Sequence, residues 1–380
     1  MNFTKFTLIF FVIGLILFPF SISLFLTNIG FLTNVVQKIT EPSPCPCTNK
    51  LSYEYTYFKI PDSMTLCDEE IPINETYARE MLDREFHISV WDRAQVIMWL
   101  KRAGRYFPHI EKRLAEENMP DDIKYLPVAE SSFIIYVRSR AGAVGPWQFM
   151  PGTAKAKGLI KSRYVDERCS FEASTDAALI YLKELKEMFG SWTLAMAAYN
   201  CGETRLKDSI EEQRTNNYYK LNLPIETERY IFRIAAIKLI MSNPEKYGYK
   251  LDPTELYETI DLDTAQIKIN GHYHIRDLAE AIGTDFKTIK ELNPYLIGTH
   301  IGKGEYNLKV PKNSSKKLKE FLSHTASKKD YSGERYYIIK KGDTLISISS
   351  ETGVPISDLR ELNNIKNSYI RAGQKLYLGE

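Results

Sequence analysis

The sequence predicts a mostly α domain followed by small α+β modules, with an apolar helical segment ahead of both. Three observations carry this expectation: a charge-free N-terminal run, a central stretch whose apolar residues recur at helical spacing, and a C-terminal third that repeats on itself. The chain has 380 residues, 44% hydrophobic and 26% charged, which is ordinary globular composition with room for two or three domains. A formal net charge of +2 gives no whole-chain reason to expect nucleic acid as a partner.

Residues 6–37 contain no charged side chain, and most positions are Phe, Leu, Ile or Val. About 20 apolar residues cross a bilayer. A cleaved secretory signal would have a shorter apolar core and small residues before the cut. No convincing small-x-small site is present, and Pro19 is compatible with a kinked long helix, so residues 1–38 are read as a transmembrane or signal helix, with an uncleaved anchor preferred. Residues 39–70 follow as a linker, rich in Pro, Ser and Cys over 40–49. The five cysteines, at 45, 47, 67, 169 and 201, lack metal-ligand spacing, and an odd number leaves at least one unpaired. No metal or organic cofactor is expected.

Residues 71–118 form a helical part of the next region, with Phe86, Val90, Ile97, Trp99 and Leu100 among the apolar positions and Gly104 as a break. Within 119–250, Ser174 is placed to cap a helix that runs to Phe189 and stops at Gly190. Ser191 caps the next, over Trp192–Tyr199. A third spans Glu226–Ser242 and closes at Asn243-Pro244.

Glu130 stands in the apolar run Tyr125-Leu-Pro-Val-Ala-Glu130-Ser131. Burial disfavours the charged form of a carboxyl and raises its pKa, which is what a general acid at neutral pH requires. From Ser131 to Gly158 there is no Asp or Glu. Neighbouring residues have plain structural explanations: Ser139 caps a loop, Trp147 is core, Asn200 with Gly202 ends a helix, and Glu226 is an acid at a helix N-terminus.

Four motifs follow one another in order: Glu130-Ser131; Ser139-x-Ala-Gly-Ala-x-Gly145-x-Trp147-Gln148-Phe-Met150-Pro; Ala198-Tyr199-Asn200-x-Gly202; and Leu223-Pro-x-Glu226-Thr-x-x-Tyr230. On these, residues 119–250 resemble a lytic transglycosylase domain of the goose-lysozyme-like superfamily, in particular the membrane-bound lytic murein transglycosylase D type. The resemblance implies a lysozyme-like α domain with Glu130 as the catalytic acid. It implies substrate contact or support from Ser139, Gln148, Met150, Tyr199, Asn200, Glu226 and Tyr230.

An offset of 70 residues lays Leu278–Gly283 on Ile348–Gly353 and Ile289–Asn293 on Leu359–Asn363. The second copy, 335–380, resembles a LysM module. That likeness implies a shallow groove for N-acetylglucosamine chains formed by Gly342, Asp343, Thr344 and Leu345 together with the loop after Asn363. The first copy, 264–312, departs from the pattern, because Asn270-Gly-His-Tyr-His274 stands where Gly-Asp-Thr-Leu is expected. Between the copies lies a basic linker, 313–334; over 312–341 nine Lys or Arg face three acids.

Most glycosidases use two carboxylates, and one suffices if the substrate supplies its own nucleophile. The resemblance implies such a reaction on peptidoglycan glycan strands: Glu130 protonates the bond between N-acetylmuramic acid and N-acetylglucosamine, the N-acetyl group assists, and the C6 hydroxyl closes a 1,6-anhydro ring. Two alternatives stand beside it, a hydrolytic muramidase on the same fold and a non-catalytic wall-binding protein. The expected location is the periplasmic side of the cell envelope, held to the membrane by residues 6–37.

Overall fold

The computed structural model describes residues 57–326 and 336–378, except positions 353 and 368. The expected anchor over 1–38, the first part of the linker, Cys45 and Cys47 lie outside the described residues. Among the described residues no helix is long and apolar enough to cross a membrane, and Cys67, Cys169 and Cys201 are free thiols.

Within the described residues the expected linker gives way to packed structure from Phe58 onward. Ile60, Leu66 and Ile71 are fully buried, and a short antiparallel hairpin joins β1 (Thr65–Leu66) to β2 (Glu69–Glu70). Helix α1 (Thr76–Trp91) follows, burying Ala78, Met81, Leu82, Phe86 and Val90. Their spacing of three and four places them on one face. Asp92 separates it from α2 (Arg93–Glu116), accepting the Gln95 backbone N–H at 3.1 Å as an N-cap.

Helix α2 runs through Gly104, where a break was expected. The glycine serves a close approach instead: a Cβ there would lie 2.9 Å from Leu256 Cβ and 3.0 Å from the Tyr257 carbonyl.

A 3₁₀ turn at Asp121–Tyr125 leads into α3 (Leu126–Ser131), and then come α4 (Pro151–Ala156), α5 (Phe171–Phe189), α6 (Trp192–Cys201), α7 (Glu203–Gln213) and α8 (Ile225–Ser242). Helix α8 buries Tyr230, Phe232, Ile234 and Ile237 and packs against α1, α3 and α6, which makes it the central rod of this domain. Helix α5 starts three residues before the expected Ser174, with Ser170 at the N-cap position. Ser174 is fully buried, its hydroxyl donating to the Phe171 carbonyl at 3.3 Å. The Phe171 ring, packed on Tyr106 and His109, draws the extra turn into the core. The expected Ser191 cap is present, its hydroxyl accepting from Leu194 N–H at 3.2 Å. Glu69 of the hairpin covers the same helix end, accepting from the Thr193 N–H and hydroxyl, each at 2.9 Å, which satisfies donors that a helix start leaves orphaned.

The two C-terminal copies share one βααβ order. In the first, β3 (Leu262–Ile269) pairs antiparallel with β6 (Gly304–Pro311) from Leu262↔Pro311 to Ile269↔Gly304, with α9 (Ile275–Ile282) and α10 (Phe286–Leu292) between them. The short pair β4 (Tyr273–His274) and β5 (His300–Ile301) ties the loops flanking these helices. Helix α11 (Ser315–Ala326) packs on β3 and α9 with Leu318 fully buried. The first half of the expected basic linker is therefore part of the first copy. In the second copy, β7 (Tyr336–Ile338) pairs with β8 (Lys375–Tyr377) around α12 (Leu345–Thr352) and α13 (Ile356–Leu362), over a small core of Ile339, Leu345, Ile348, Leu359 and Leu376.

One asparagine locks each copy. The Asn293 amide donates to the carbonyls of Ile289 (2.9 Å) and Lys309 (2.7 Å) and accepts from Lys309 N–H (2.8 Å). Asn363, 70 residues on, does the same with Leu359 (2.8 Å) and Tyr377 (2.8 and 2.7 Å).

Candidate active site

Glu130 is the penultimate residue of α3, which is too short to bury its own end. The chain leaves the helix through two consecutive left-handed residues, Ser132 (φ 54°) and Phe133 (φ 59°). Neither is glycine, so the turn is strained and must be held by its surroundings. Trp99 Nε1 donates to the Ser132 hydroxyl at 3.0 Å, Arg102 donates to the Ser132 carbonyl at 2.9 Å, and the Phe133 ring is buried against Tyr106 and Phe107.

The carboxyl of Glu130 is half-buried and accepts a hydrogen bond from the Tyr230 hydroxyl, presented by α8. Burial pushes its pKa up to about 7; the Tyr230 hydrogen bond and the positive charge of Arg233 pull down against this, and the negative charge of Glu226 adds to it. Burial wins because removing water from a carboxylate costs more than one phenol returns. Tyr230, buried, and Tyr199, half-buried, are held well above the ordinary phenol range, first by burial and then by the neighbouring carboxyl. Both are therefore neutral O–H donors at any physiological pH.

Replacing Tyr230 by Phe removes a donor that favours the ionised form. The pKa of Glu130 is expected to climb, so the alkaline limb of any Glu130-dependent activity should move up by roughly one pH unit. A pH profile of kcat/KM reads this directly, and an unmoved limb would remove Tyr230 from the site.

Of the other expected site residues, Tyr199 lies near enough to Glu130 to feel its charge. Its hydroxyl donates to the Trp147 carbonyl at 2.7 Å, joining the end of α6 to the loop before α4. Ser131 joins the same loop from α3, donating to the Pro146 carbonyl at 2.8 Å. Trp147 itself is core, fully buried with its Nε1 on Thr175 Oγ1 at 2.9 Å. Gln148 sits in the left-handed region (φ 49°), and its amide donates to Gly145 O at 2.7 Å and Val137 O at 3.3 Å, so its N–H groups brace the loop. The Ser139 hydroxyl likewise closes the loop, accepting from Ala143 N–H at 3.0 Å. Asn200 accepts from the Thr227 hydroxyl at 2.9 Å and ties α6 to the first turn of α8. Met150 is 43% exposed and Glu226 is exposed at the start of α8; these two are accessible to a ligand.

In the second C-terminal copy, Gly342 takes φ 96° in the turn after β7, Asp343 accepts from Lys340 N–H at 2.7 Å, and Thr344 caps α12 by accepting from Ser347 N–H at 3.1 Å. Leu345 is buried in the small core, and the Asn363 amide is committed to backbone. These residues shape the two loops; Gly342 and Thr344 are also exposed on them.

Two features of the site have no counterpart among the expected residues. Glu85 of α1, only 2% exposed, faces three guanidinium groups: Arg229 at 2.7 Å, Arg233 at 3.6 Å and its neighbour Arg84. Arg229 and Arg233 lie one turn apart on either side of Tyr230 in α8. Arg168, 1% exposed, fills the centre of the 137–149 loop, its NH1 donating to the carbonyls of Gly142 (3.1 Å) and Phe149 (3.2 Å).

Comparison with known proteins agrees with this architecture. Residues 107–222 match the Transglycosylase SLT domain and residues 337–379 the LysM domain. The chain is 31% identical over 293 residues to the membrane-bound lytic murein transglycosylase D of Escherichia coli K12, covering 73% of this chain and 64% of that relative. It is 35% identical over 117 residues to a putative tributyltin chloride resistance protein of an Alteromonas species, covering 30% of this chain and 56% of that protein. Among solved structures, the 70 kDa soluble lytic transglycosylase of Escherichia coli is 19% identical with a TM-score of 0.34, covering 48% of this chain and 32% of that one. From Phe107 to its C-terminal strand, then, the chain carries a transglycosylase SLT domain that contains Glu130, and after it a LysM domain.

Proposed function

We propose that the protein is a peptidoglycan lytic transglycosylase. The observation that carries this reading is Glu130: a carboxyl with a pKa of about 7, hydrogen-bonded by a buried phenol, inside the stretch matched by the SLT domain. A group poised near neutral pH serves as acid and then as base. Glu130 gives its proton to the glycosidic oxygen between N-acetylmuramic acid and N-acetylglucosamine, and that C–O bond breaks. The muramoyl N-acetyl oxygen holds the anomeric carbon meanwhile. Glu130, now a carboxylate, takes the proton of the C6 hydroxyl, whose oxygen bonds to the anomeric carbon as the N-acetyl oxygen leaves it with its electron pair, closing the 1,6-anhydro ring. Proton and electron pairs balance, and no water is consumed. Tyr230 supports the carboxylate stage through its O–H, and Tyr199 holds the loop beside it. Glu226 and Met150 contact the glycan, while Ser139, Gln148 and Asn200 set the shape of the wall it meets.

The LysM domain keeps the enzyme on its polymer through the loops at 342–345 and after 363, which raises local substrate concentration without altering the chemistry. The apolar run 6–37 anchors the chain at the membrane with the catalytic part in the periplasm, in line with the membrane-bound name of the Escherichia coli relative. A second reading, hydrolysis, draws support from Glu226, whose charge reaches Glu130 and which could orient a water. Mass spectrometry of purified peptidoglycan digested by the protein separates the two. Products ending in 1,6-anhydro-muramic acid are expected, whereas reducing ends would make it a hydrolase.

A further inference from the structure

The offset of 70 residues maps the first-copy loops 272–275 and 293–299 onto 342–345 and 363–369. In the second copy these loops face solvent, with Gly342, Thr344, Asn364, Lys366 and Asn367 exposed and Tyr369 80% exposed. In the first copy the same place is filled by the SLT domain. The Tyr164 hydroxyl lies 3.1 Å from the His272 ring nitrogen, with the rings edge-on at 5.2 Å. Gly302 leaves the room for it: a Cβ there would lie 2.3 Å from a Tyr164 ring carbon. Backbone pairing completes the grip. Ile297 N–H donates to Tyr164 O at 2.7 Å, Asp166 N–H donates to Tyr295 O at 2.8 Å, and Val165 bridges Leu296 while its side chain joins the core of the copy.

The gripped segment is linked to the 137–149 loop through Asp166 and Arg168. The Asp166 carboxylate accepts from Arg168 Nε at 2.8 Å and NH2 at 2.7 Å, in a two-pronged pair whose geometry is fixed. The remaining prong of Arg168 holds Gly142 and Phe149. Gly145 packs so tightly on the 3₁₀ turn Glu167–Cys169 that a Cβ would lie 1.8 Å from the Arg168 carbonyl. The loop so held carries Ser139, Trp147 and Gln148 and is fastened to Glu130's helix through Ser131.

We propose that the first repeat is no longer a glycan-binding module: its two loops take Tyr164–Asp166 of the same chain as their ligand, and Asp166 and Arg168 act as positioning residues that transmit this grip to the 139–149 loop. This rests on the proposed glycan-binding role of the second copy only for its comparison of loops, and on cleavage chemistry not at all.

Hydrogen exchange read by mass spectrometry on the full chain tests it without any turnover. Tyr164→Ala should speed exchange over 139–149 and 293–302 by about tenfold or more while α5 and α6 keep their protection. Tyr164→Phe, which keeps the ring, should restore it. A pentamer of N-acetylglucosamine should slow exchange at 342–345 and 363–369 and leave 272–275 and 293–302 unchanged. Protection of the first-copy loops by the pentamer in the unaltered protein would overturn the proposal, as would unchanged exchange over 139–149 in Tyr164→Ala. Should that variant unfold, Gly302→Ala displaces the ring from the other side and is read the same way.

Discussion

Glu130→Gln is expected to abolish cleavage and at the same time to stabilise the fold above pH 7. An amide has no acid proton to give, and general acid catalysis is worth about 10²–10⁴-fold, so product formation should fall by at least that much while binding to the wall persists. The stability gain follows from linkage. The carboxyl has a pKa of about 7 in the folded protein against an ordinary value of 4.5, so the folded state holds its proton more tightly than the unfolded chain does. Stability is therefore lost as pH rises from about 4.5 to about 7 and stays lower above that. Each tenfold difference in proton affinity is worth about 1.4 kcal/mol, and with the side chain partly open to water the cost of ionised Glu130 comes to ~1–3 kcal/mol. Gln does not ionise, so denaturant midpoints of the two proteins should coincide near pH 4 and separate above pH 7 with the variant the more stable. An equal or lower midpoint for the variant at pH 8 would show that the carboxyl is not strained by burial, and retained cleavage would remove it from the chemistry.

Arg168→Leu carries the second large effect, in the opposite direction. The substitution leaves the buried Asp166 carboxylate facing no guanidinium and withdraws the donors of Gly142 O and Phe149 O. Breaking a buried pair from one side typically costs about 3–5 kcal/mol, so the unfolding free energy from a urea titration should drop by about that amount, with a lower midpoint at unchanged slope. The double variant Asp166→Leu, Arg168→Leu should recover part of the loss, because it no longer buries an uncompensated charge. A single variant that loses less than about 1 kcal/mol would show that the pair is peripheral.

The helical region around Glu130 was legible where local residue types and periodicity coincide. Glu130 in an apolar run, the Ser191 cap and the α8 segment with Glu226 and Tyr230 on one side all follow from local rules. Misplacements arose where a distant partner decides the outcome. Gly104 looks like a helix break because its partner, the Leu256–Tyr257 segment, lies some 150 residues away in the chain. Ser174 looks like a cap from its residue type alone, whereas the burial of Phe171 starts the helix one turn earlier, with Ser170 at the N-cap position. The stretch after Pro311 was read by its lysine content as a linker, although Leu318, Phe321 and Leu322 already sit at helical spacing and pack on the first copy. The Asp166–Arg168 brace had no local signature at all: a D-x-R in a loop gains its meaning only from the carbonyls it meets.

The asparagine lock common to both copies has a consequence for how much their loops can differ. Asn293 and Asn363 fasten helix to closing strand entirely through main-chain groups, which every amino acid shares. The frame of a duplicated module thus stays closed whatever its loops become. Loop residues can therefore differ without loosening the frame, and the two copies do present their loops differently, exposed in the second and packed on the Tyr164–Asp166 segment in the first.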